Sequence, residues 1–302
     1  MASSPSSQNT CAVVVTYHPD AGFAERLYQL EKQFAQVVIV DNGSHFATVE
    51  MLRALSQSVK IFLVENRENR GIGAALNQGI EYARQLGFQW LATFDQDTFV
   101  YADYLTSLAE IYCDSGEEEI VLGSNYREIH KKQNRVHCQK NGRLSLPQKT
   151  LITSGMLLPL SLVEKIGGFR EDYFIDSVDH EFCLRAKHHG YRSVISCRVL
   201  MEHCIGPGGE KMNWLQRRFT RNHPASRKYY IARNSIVTAR EYLVQEPLWC
   251  IGQGLQVLYI VFAICLFERS KQLRCKAFLS GLIHGLIGRM GPIDRKLSDD
   301  QH

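Results

Sequence analysis

The sequence predicts an α/β protein whose mostly parallel β-sheet is covered by helices on both faces and is followed by a helical C-terminal region. Two β-branched runs, CAVVVTY at 11–17 and VVIVDNGS at 37–44, indicate buried strands. Between them, apolar residues from Phe23 to Phe34 recur at helical spacing. A third run, KIFLVEN at 60–66, repeats the strand pattern, and strands separated by helices in this way run parallel.

The alternation continues with a glycine-bearing helix at 71–87 and a strand, WLATFD, at 90–95. Beyond residue 120 the pattern is less regular. IVLGSNY at 120–126 indicates a strand, whereas 127–150 is polar and basic and is expected to be an irregular, mobile segment. The remaining predicted elements are a strand and a helix within 152–169, a helix at 181–189, a strand at 193–203 and helices after 210.

Composition excludes a chain that is disordered over most of its length, because 45% of the residues are hydrophobic and 22% are charged. The nine cysteines are odd in number, scattered and never spaced C-x-x-C, which favours reduced thiols in the cytosol over a disulfide framework or a zinc ribbon. Residues 1–10 lack a basic start and an apolar core, so we expect a disordered terminus and no secretory signal. After this terminus, we expect a domain at 11–209 and a basic helical region at 210–302.

Polar residues stand at the carboxyl ends of the predicted parallel strands, the edge where ligands bind in such sheets. Asp95 and Asp97, on either side of Gln96, directly follow an apolar strand. Two carboxylates at this spacing can hold a hard divalent cation against diphosphate oxygens. The structural alternative is that one aspartate caps the next helix and the other is solvated.

Five motifs together resemble the bacterial family 2 glycosyltransferases: VVVTYHP, VDNGS, ENRGIGAALNQG, FDQD and FIDSVDHEFCLRAKHHGY. FDQD and FID-x-x-D are similar to those of the rhamnosyltransferases in that family. The resemblance covers about residues 11–206. It implies a GT-A fold with a Rossmann-like sheet, inversion at the anomeric carbon, a Mg²⁺ or Mn²⁺ cofactor and a nucleotide-sugar donor, expected to be dTDP-L-rhamnose.

The resemblance also implies which residues contact the donor. Thr16 and Tyr17 match the base pocket, and Asp41 matches a residue that contacts the base or the ribose. Asp95 is expected near the ribose, and Asp97 as the direct metal ligand. The other implied donor-side residues are Asn69, Gly71, Asn77 and Gln96. Turn and helix-start geometry are alternative explanations for Asp41, Asn69 and Gly71.

The acceptor hydroxyl requires a base, and the resemblance assigns Asp179 to this role. The glutamate that usually precedes it in the family is replaced here by Val178. Asp176, an acceptor-side residue, and Glu181 therefore remain alternatives, although Asp176 could cap the helix and Glu181 could complement its dipole.

Four further positions match the family pattern. His203 is expected to complete the metal or diphosphate site, with a satisfied strand-end histidine as the alternative. Arg233, in the ARN sequence completed by Asn234, could form a two-pronged contact with phosphate. Gly155 resembles an acceptor-side turn, or serves backbone geometry only.

From residue 210 onward, 15 Lys and Arg stand against 7 Asp and Glu. The segment 248–267 is mostly apolar but is interrupted by glycine and glutamine in its first half, so membrane crossing is the less favoured interpretation. A second apolar helix at 278–287 is flanked by basic residues. We therefore expect a cytoplasmic protein, peripheral on the cytoplasmic face of the inner membrane, with an anionic membrane surface and a saccharide or lipid-linked acceptor as partners.

Competing functions are less well supported. The glycines of NRGIGAALNQG do not directly follow the first strand, which disfavours an NAD-dependent oxidoreductase. The basic third lacks a recognisable DNA or RNA module, so no nucleic-acid partner is expected. Another sugar donor on the same scaffold, or a non-catalytic nucleotide-binding protein, remains an alternative.

Overall fold

The computed structural model describes residues 3–116, 119–129, 132–138, 142–203, 223–268 and 270–293. The chain divides into two compact units. The first comprises Met1–Phe169 and Phe182–Ile205, and the second comprises Arg170–Glu181 and Gly206–His302. The second unit therefore includes a short excursion of the chain, Arg170–Glu181. The predicted boundary at 209 had left this segment in the first domain.

A ten-stranded mixed sheet with parallel pairing at its core forms the centre of the first unit. Its main strand order is β3-β2-β1-β4-β9-β6-β10-β5, with β7 beside β6 and β8 beside β10. Strands β1 to β4 are mutually parallel, as predicted, and β10 is parallel to β6. The strands are β1 Thr10–Thr16, β2 Gln36–Asp41, β3 Ile61–Glu65, β4 Trp90–Asp95, β5 Phe99–Val100, β6 Ile120–Glu128, β7 Gln133–Asn134, β8 Ser145–Gln148, β9 Met156–Pro159 and β10 Arg192–His203.

Some of the helices pack on this sheet, and others make up the second unit. The fold class predicted from the sequence is confirmed, and the helices α2 and α4 are additions that the apolar spacing did not reveal. The helices are α1 Phe23–Glu31, α2 Phe46–Leu55, α3 Ile72–Gln85, α4 Tyr104–Ser115, α5 Leu160–Ile166, α6 Val178–His188, α7 Ala225–Tyr242, α8 Pro247–Phe267 and α9 Lys271–Ile287, with a 3₁₀ turn at Glu171–Tyr173.

Helix α3 lies unusually close to the central strand β1. A Cβ atom at Gly79 would stand 2.4 Å from Val13 Cγ1, so only glycine allows this approach. Val13 itself is fully buried. The close packing fixes the start of α3, and with it the donor-side motif before it, against the sheet edge where β1 ends.

The described residues of the polar segment 127–150 are more ordered than its composition suggested. It contains β7 and β8, and the buried amide of Asn125 exchanges hydrogen bonds with Val136 and donates to the Cys197 carbonyl. Cys138 is joined to Cys197 by a disulfide, which corrects the expectation of reduced thiols throughout. The spacing of the cysteines gave no indication of this pair because the two are 59 residues apart and meet only in the folded sheet.

The predicted disordered terminus is also corrected over the residues described. The Trp90 indole donates to the Ser3 carbonyl, and the Ser3 hydroxyl donates to Gln89. The Ser7 carbonyl accepts from Ala35 N, and β1 begins at Thr10. Residues 3–10 therefore lie in an ordered position at the amino end of β1. They form hydrogen bonds with polar groups of Trp90 in β4 and of the neighbouring residues Gln89 and Ala35.

In the second unit, helix α9 packs on α7 through two glycines. A Cβ at Gly281 or Gly285 would collide with the main-chain carbonyl of Tyr229 or Arg233. Close by, Lys228 Nζ lies 2.6 Å from Glu268, which also accepts from Arg274. Burial lowers the pKa of Lys228 from its ordinary value even though Glu268 opposes the shift. A buried ionic cluster therefore stabilises the packing of the helices in this unit, together with apolar contacts.

Candidate active site

The carboxyl ends of β1 and β2 meet because the two strands are parallel and Thr16 is in register with Asp41. Asp41 is fully buried. Its carboxylate accepts from the Thr16 hydroxyl at 3.0 Å, from the Ser44 hydroxyl at 2.5 Å and from Ser44 N at 2.9 Å. The predicted pair Thr16 and Asp41 is brought together, and the carboxylate also stabilises the turn that was its alternative explanation.

Gln96 ties the end of β4 to the end of β1. Its amide oxygen accepts from Tyr17 N at 2.6 Å, and its amide nitrogen donates to the Tyr17 carbonyl. Tyr17 remains 47% exposed and its ring lies against His18, whose ring is tilted against that of His45 with ring centroids 4.0 Å apart. Burial and then the neighbouring His45 lower the pKa of His18. These two histidines were missed, and the only signal for them was their position beside Tyr17 and Ser44.

The loop before α3, which the sequence predicted to face the donor, is held by amide side chains. Asn42 donates to Asn69 at 3.0 Å, and Asn69 in turn accepts from Gly71 N, whose φ is 85°. Asn77 forms two hydrogen bonds of 2.8 Å with the main chain of Phe169. Asn77 therefore braces the chain within the first unit, and its contact with a donor stays a prediction.

Asp95, Asp97 and His203 form a cluster where the turn between β4 and β5 meets the end of β10, which pairs with β5. One ligand atom from each lies within 4.8 Å of the others. His203 Nε2 is 3.8 Å from Asp95, and Nδ1 is 3.3 Å from Asp97. Burial alone would lower the pKa of His203, but its contact with Asp97 and the charges of Asp95, Asp97 and Glu128 outweigh burial and raise it.

The chemistry of this cluster fits a divalent cation. Asp97 Oδ1 is shielded from solvent, yet it accepts no well-aligned hydrogen bond from any residue that the structure describes. A buried carboxylate oxygen without a donor is costly, and a cation would remove that cost. Two carboxylates and an imidazole suit Mg²⁺ or Mn²⁺, which would supply positive charge beside a diphosphate.

A hydroxyl layer behind the cluster was not predicted. The Thr98 hydroxyl is 3.1 Å from His203 Nδ1 and 2.5 Å from the Ser154 hydroxyl, and Ser154 accepts from Asp95 N. Gly155, beside Ser154, has φ 74°, and a Cβ there would strike Met201. Backbone geometry is thus sufficient to explain Gly155, and the hydroxyls orient the ligand set, as outer partners do at metal sites.

In the second unit, three carboxylates lie at the start of α6 in different surroundings. Asp176 is paired with Arg227 at 3.1 Å, and Glu181 is buried and accepts from the Tyr242 hydroxyl at 3.0 Å. Asp179 is half-buried, and its hydrogen bond among the described residues comes from His180 N. Asp179 is therefore the least engaged of the three.

Arg233 lies elsewhere than the sequence suggested. It is fully buried, and its guanidinium donates to the carbonyls of Asp172, Tyr173 and Gly291 and to the Asn234 side chain. These bonds occupy the donors that a phosphate would need. We therefore replace the predicted phosphate contact of Arg233 by a bracing role.

The mixed α/β sheet with a carboxylate and histidine cluster at its edge defines a glycosyltransferase of the GT-A fold. The chain belongs to the family described as "Glycosyl transferase family 2", which it matches over residues 11–177, more than half of its length. The resemblance inferred from the five motifs is thereby confirmed.

Individual relatives agree with this assignment. The chain is 29% identical over 248 residues to "dTDP-rhamnosyl transferase RfbF" of Shigella flexneri, covering 78% of this chain and 81% of the relative. Its fold is similar to a mannosyltransferase from Pyrobaculum calidifontis in complex with GDP-Man and Mn²⁺, with a TM-score of 0.54, 16% identity and coverage of 93% and 88%. It is also similar to Staphylococcus aureus TarS 1–349 in complex with UDP-GlcNAc, with a TM-score of 0.54, 14% identity and coverage of 92% and 89%.

Asp97→Asn is expected to weaken Mn²⁺ binding by at least about tenfold, because the amide removes the charge of the orphaned oxygen at a direct ligand position. Isothermal titration with Mn²⁺ measures the change. Asp114→Asn, at an exposed carboxylate on α4, is the matched control and should leave the affinity unchanged. Equal affinities for the two variants would rule out Asp97 as a ligand.

Proposed function

We propose that this glycosyltransferase transfers L-rhamnose from dTDP-L-rhamnose, with inversion, to a hydroxyl of a saccharide or lipid-linked saccharide acceptor in bacterial cell-surface polysaccharide synthesis. The observation that supports the proposal is the cluster of Asp95, Asp97 and His203, whose ligand atoms could hold a divalent cation. It follows the carboxyl end of β4, the side of such sheets where ligands bind. The rhamnosyl donor is supported by the 29% identity to a dTDP-rhamnosyl transferase.

In the proposed reaction, the acceptor oxygen attacks the anomeric carbon from the face opposite the diphosphate. The new carbon–oxygen bond forms as the bond to the diphosphate breaks, and dTDP leaves with the bonding electrons. The acceptor's proton passes to Asp179, the general base. Thr16 and Asp41, which are fully buried, stabilise the turn behind the nucleoside end of the donor, and the exposed ring of Tyr17 covers the base.

The first test compares donors. dTDP should raise the melting temperature in the presence of Mn²⁺ or Mg²⁺, because ligands that bind only the folded state stabilise it. EDTA should remove most of that shift. dTDP-L-rhamnose should be consumed in preference to UDP-glucose. The opposite preference would overturn the rhamnose assignment alone, whereas stabilisation that is unaffected by EDTA would overturn the metal-bridged donor site.

The second test concerns the base. Asp179→Asn should reduce kcat by about a hundredfold to ten-thousandfold, because the amide keeps the shape of the side chain but cannot accept a proton. Donor and Mn²⁺ affinities should stay near those of the parent protein. Asp176→Asn and Glu181→Gln are the comparisons, since their carboxylates are engaged by Arg227 and Tyr242. Near-normal transfer by Asp179→Asn, with loss in either comparison variant, would move the base to that residue.

We further propose that the second unit holds the enzyme on an anionic membrane surface through α8 and α9. Among the described residues, α8 alone is long and apolar enough to cross a membrane, with a mean hydropathy of 2.0 over its most apolar window. It carries no charged residue, and only 17% of that window is buried. Large apolar side chains are exposed along it: Leu248, Ile251, Leu255, Leu258, Phe262 and Leu266.

The exposed side of α8 suits lipid better than a single partner helix. Exposed positions include adjacent pairs such as Leu258 and Tyr259 or Val261 and Phe262, so the uncharged arc is wider than the roughly 100° stripe of an amphipathic helix. The flanking carboxylates Glu246 and Glu268 are buried.

The exposed charges support the same partner. Among described residues 247–293, the exposed charged side chains are Lys271, Lys276 and Arg289, which are all basic. Basic residues at a membrane surface are attracted to anionic headgroups, and apolar side chains beside them enter the interface. The charge therefore favours an anionic lipid surface over a second copy of this basic region.

Leu258→Glu should weaken binding to vesicles of equal phosphatidylglycerol and phosphatidylcholine by about tenfold or more, because a carboxylate replaces a side chain whose burial contributes about 1.5–3 kcal/mol. Leu86→Glu is the matched control, since it makes the same change at a position exposed to a similar degree, 53% against 66%, in the first unit. Sedimentation with vesicles measures both. Equal binding by the two variants would exclude α8 as the membrane contact.

A further inference from the structure

The loop before α6 has an unusual backbone. Phe174, Asp176 and Ser177 have φ values of 64°, 63° and 61°, in the left-handed region that side chains other than glycine rarely adopt. Three such residues within four positions need an external restraint, and residues held in this way cluster at functional sites.

Two adjacent side chains of α7 supply that restraint. Asn234 Nδ2 donates to the carbonyls of Tyr173, Ile175 and Asp176 at 2.8 to 3.0 Å. Arg233 donates from one nitrogen to the carbonyls of Asp172 and Tyr173 at 3.0 and 2.9 Å. Both side chains are fully buried, so no water competes for these bonds.

Other residues of the same helix hold the loop's side chains. The Tyr173 hydroxyl is 3.0 Å from Thr238, and the Phe174 ring stacks on Tyr230 at 5.0 Å. The loop leads directly into α6, where the Ser177 carbonyl accepts from Glu181 N to close the first turn. The backbone of this loop therefore sets where α6 begins, and Asp179 lies in that first turn.

We propose that Asn234 and Arg233 are positioning residues for Asp179. Their donors fix the carbonyls of the left-handed loop, and the loop aims the first turn of α6 so that the Asp179 carboxylate is held ready for the acceptor's proton. The inference rests on the proposed function, since it assumes that Asp179 is the base. It assigns the ARN sequence of α7 to the acceptor step instead of to the donor phosphate.

Asn234→Asp is the informative variant, because it keeps the size of the side chain and replaces two N–H donors by oxygens that face carbonyls. We expect kcat to fall by about a hundredfold, as for a small misplacement of a reacting group, with donor KM and Mn²⁺ affinity unchanged. Arg233→Lys, which keeps the charge and the N–H donors of a single nitrogen, should lose less. Lys228→Met is the control, since it breaks a buried ion pair on the same helix and removes none of the hydrogen bonds to the loop carbonyls.

A double-variant cycle separates positioning from general destabilisation. If Asn234 acts through Asp179, adding Asn234→Asp to Asp179→Asn should cause almost no further loss of kcat. Losses that multiply, or a Lys228→Met variant that is slowed as much as Asn234→Asp, would overturn the positioning role. Normal transfer by Asp179→Asn would overturn the proposed base itself, which is a distinguishable failure.

If the double variant is too slow to assay, amide hydrogen exchange over 172–181 decides the question. The proposal requires faster exchange there in Asn234→Asp than in Lys228→Met, both measured at a temperature where each protein is folded. Equal exchange in the two variants would overturn it.

Discussion

Parallel pairing of β1 with both β2 and β4 is the constraint on which the first unit depends. Because the three strands run in one direction, their last residues arrive at one edge, with Thr16 beside Asp41 and Val15 beside Asp95. A one-residue shift of either neighbour would turn its terminal carboxylate to the opposite face. The observed register therefore brings Asp41 and Asp95 to the same end of the sheet, on either side of β1.

Polar groups buried around this edge are satisfied in two different ways. The carboxylate of Asp41 accepts from Ser44 in its own turn and from the Thr16 hydroxyl at the end of β1, so the protein itself fixes its position. Asp97 has an oxygen left over, and the hydroxyls of Thr98 and Ser154 hold its neighbours in place. The contrast is between a carboxylate whose hydrogen-bond partners lie within the protein and one whose surroundings fit a divalent cation.

Elements with strong apolar periodicity and polar residues at strand ends could be predicted from the sequence, and this covers β1 to β4, Asp41 and Asp97. Contacts between residues that are far apart in the chain could not be predicted from the sequence. Thr98 and Ser154 meet through neighbouring strands, and no local pattern marks them. Arg233 shows a different limit. The sequence around an arginine does not reveal whether its guanidinium is buried and binds carbonyls, as here, or is exposed and binds phosphate.

The disulfide between Cys138 and Cys197 encloses more than the strands it joins. Between these cysteines the chain leaves the first unit after Phe169, contributes Arg170–Glu181 to the second and returns at Phe182. The whole excursion, including Asp179, is therefore part of one covalent ring. A single cut of the main chain anywhere in that ring leaves the two pieces covalently joined through the disulfide.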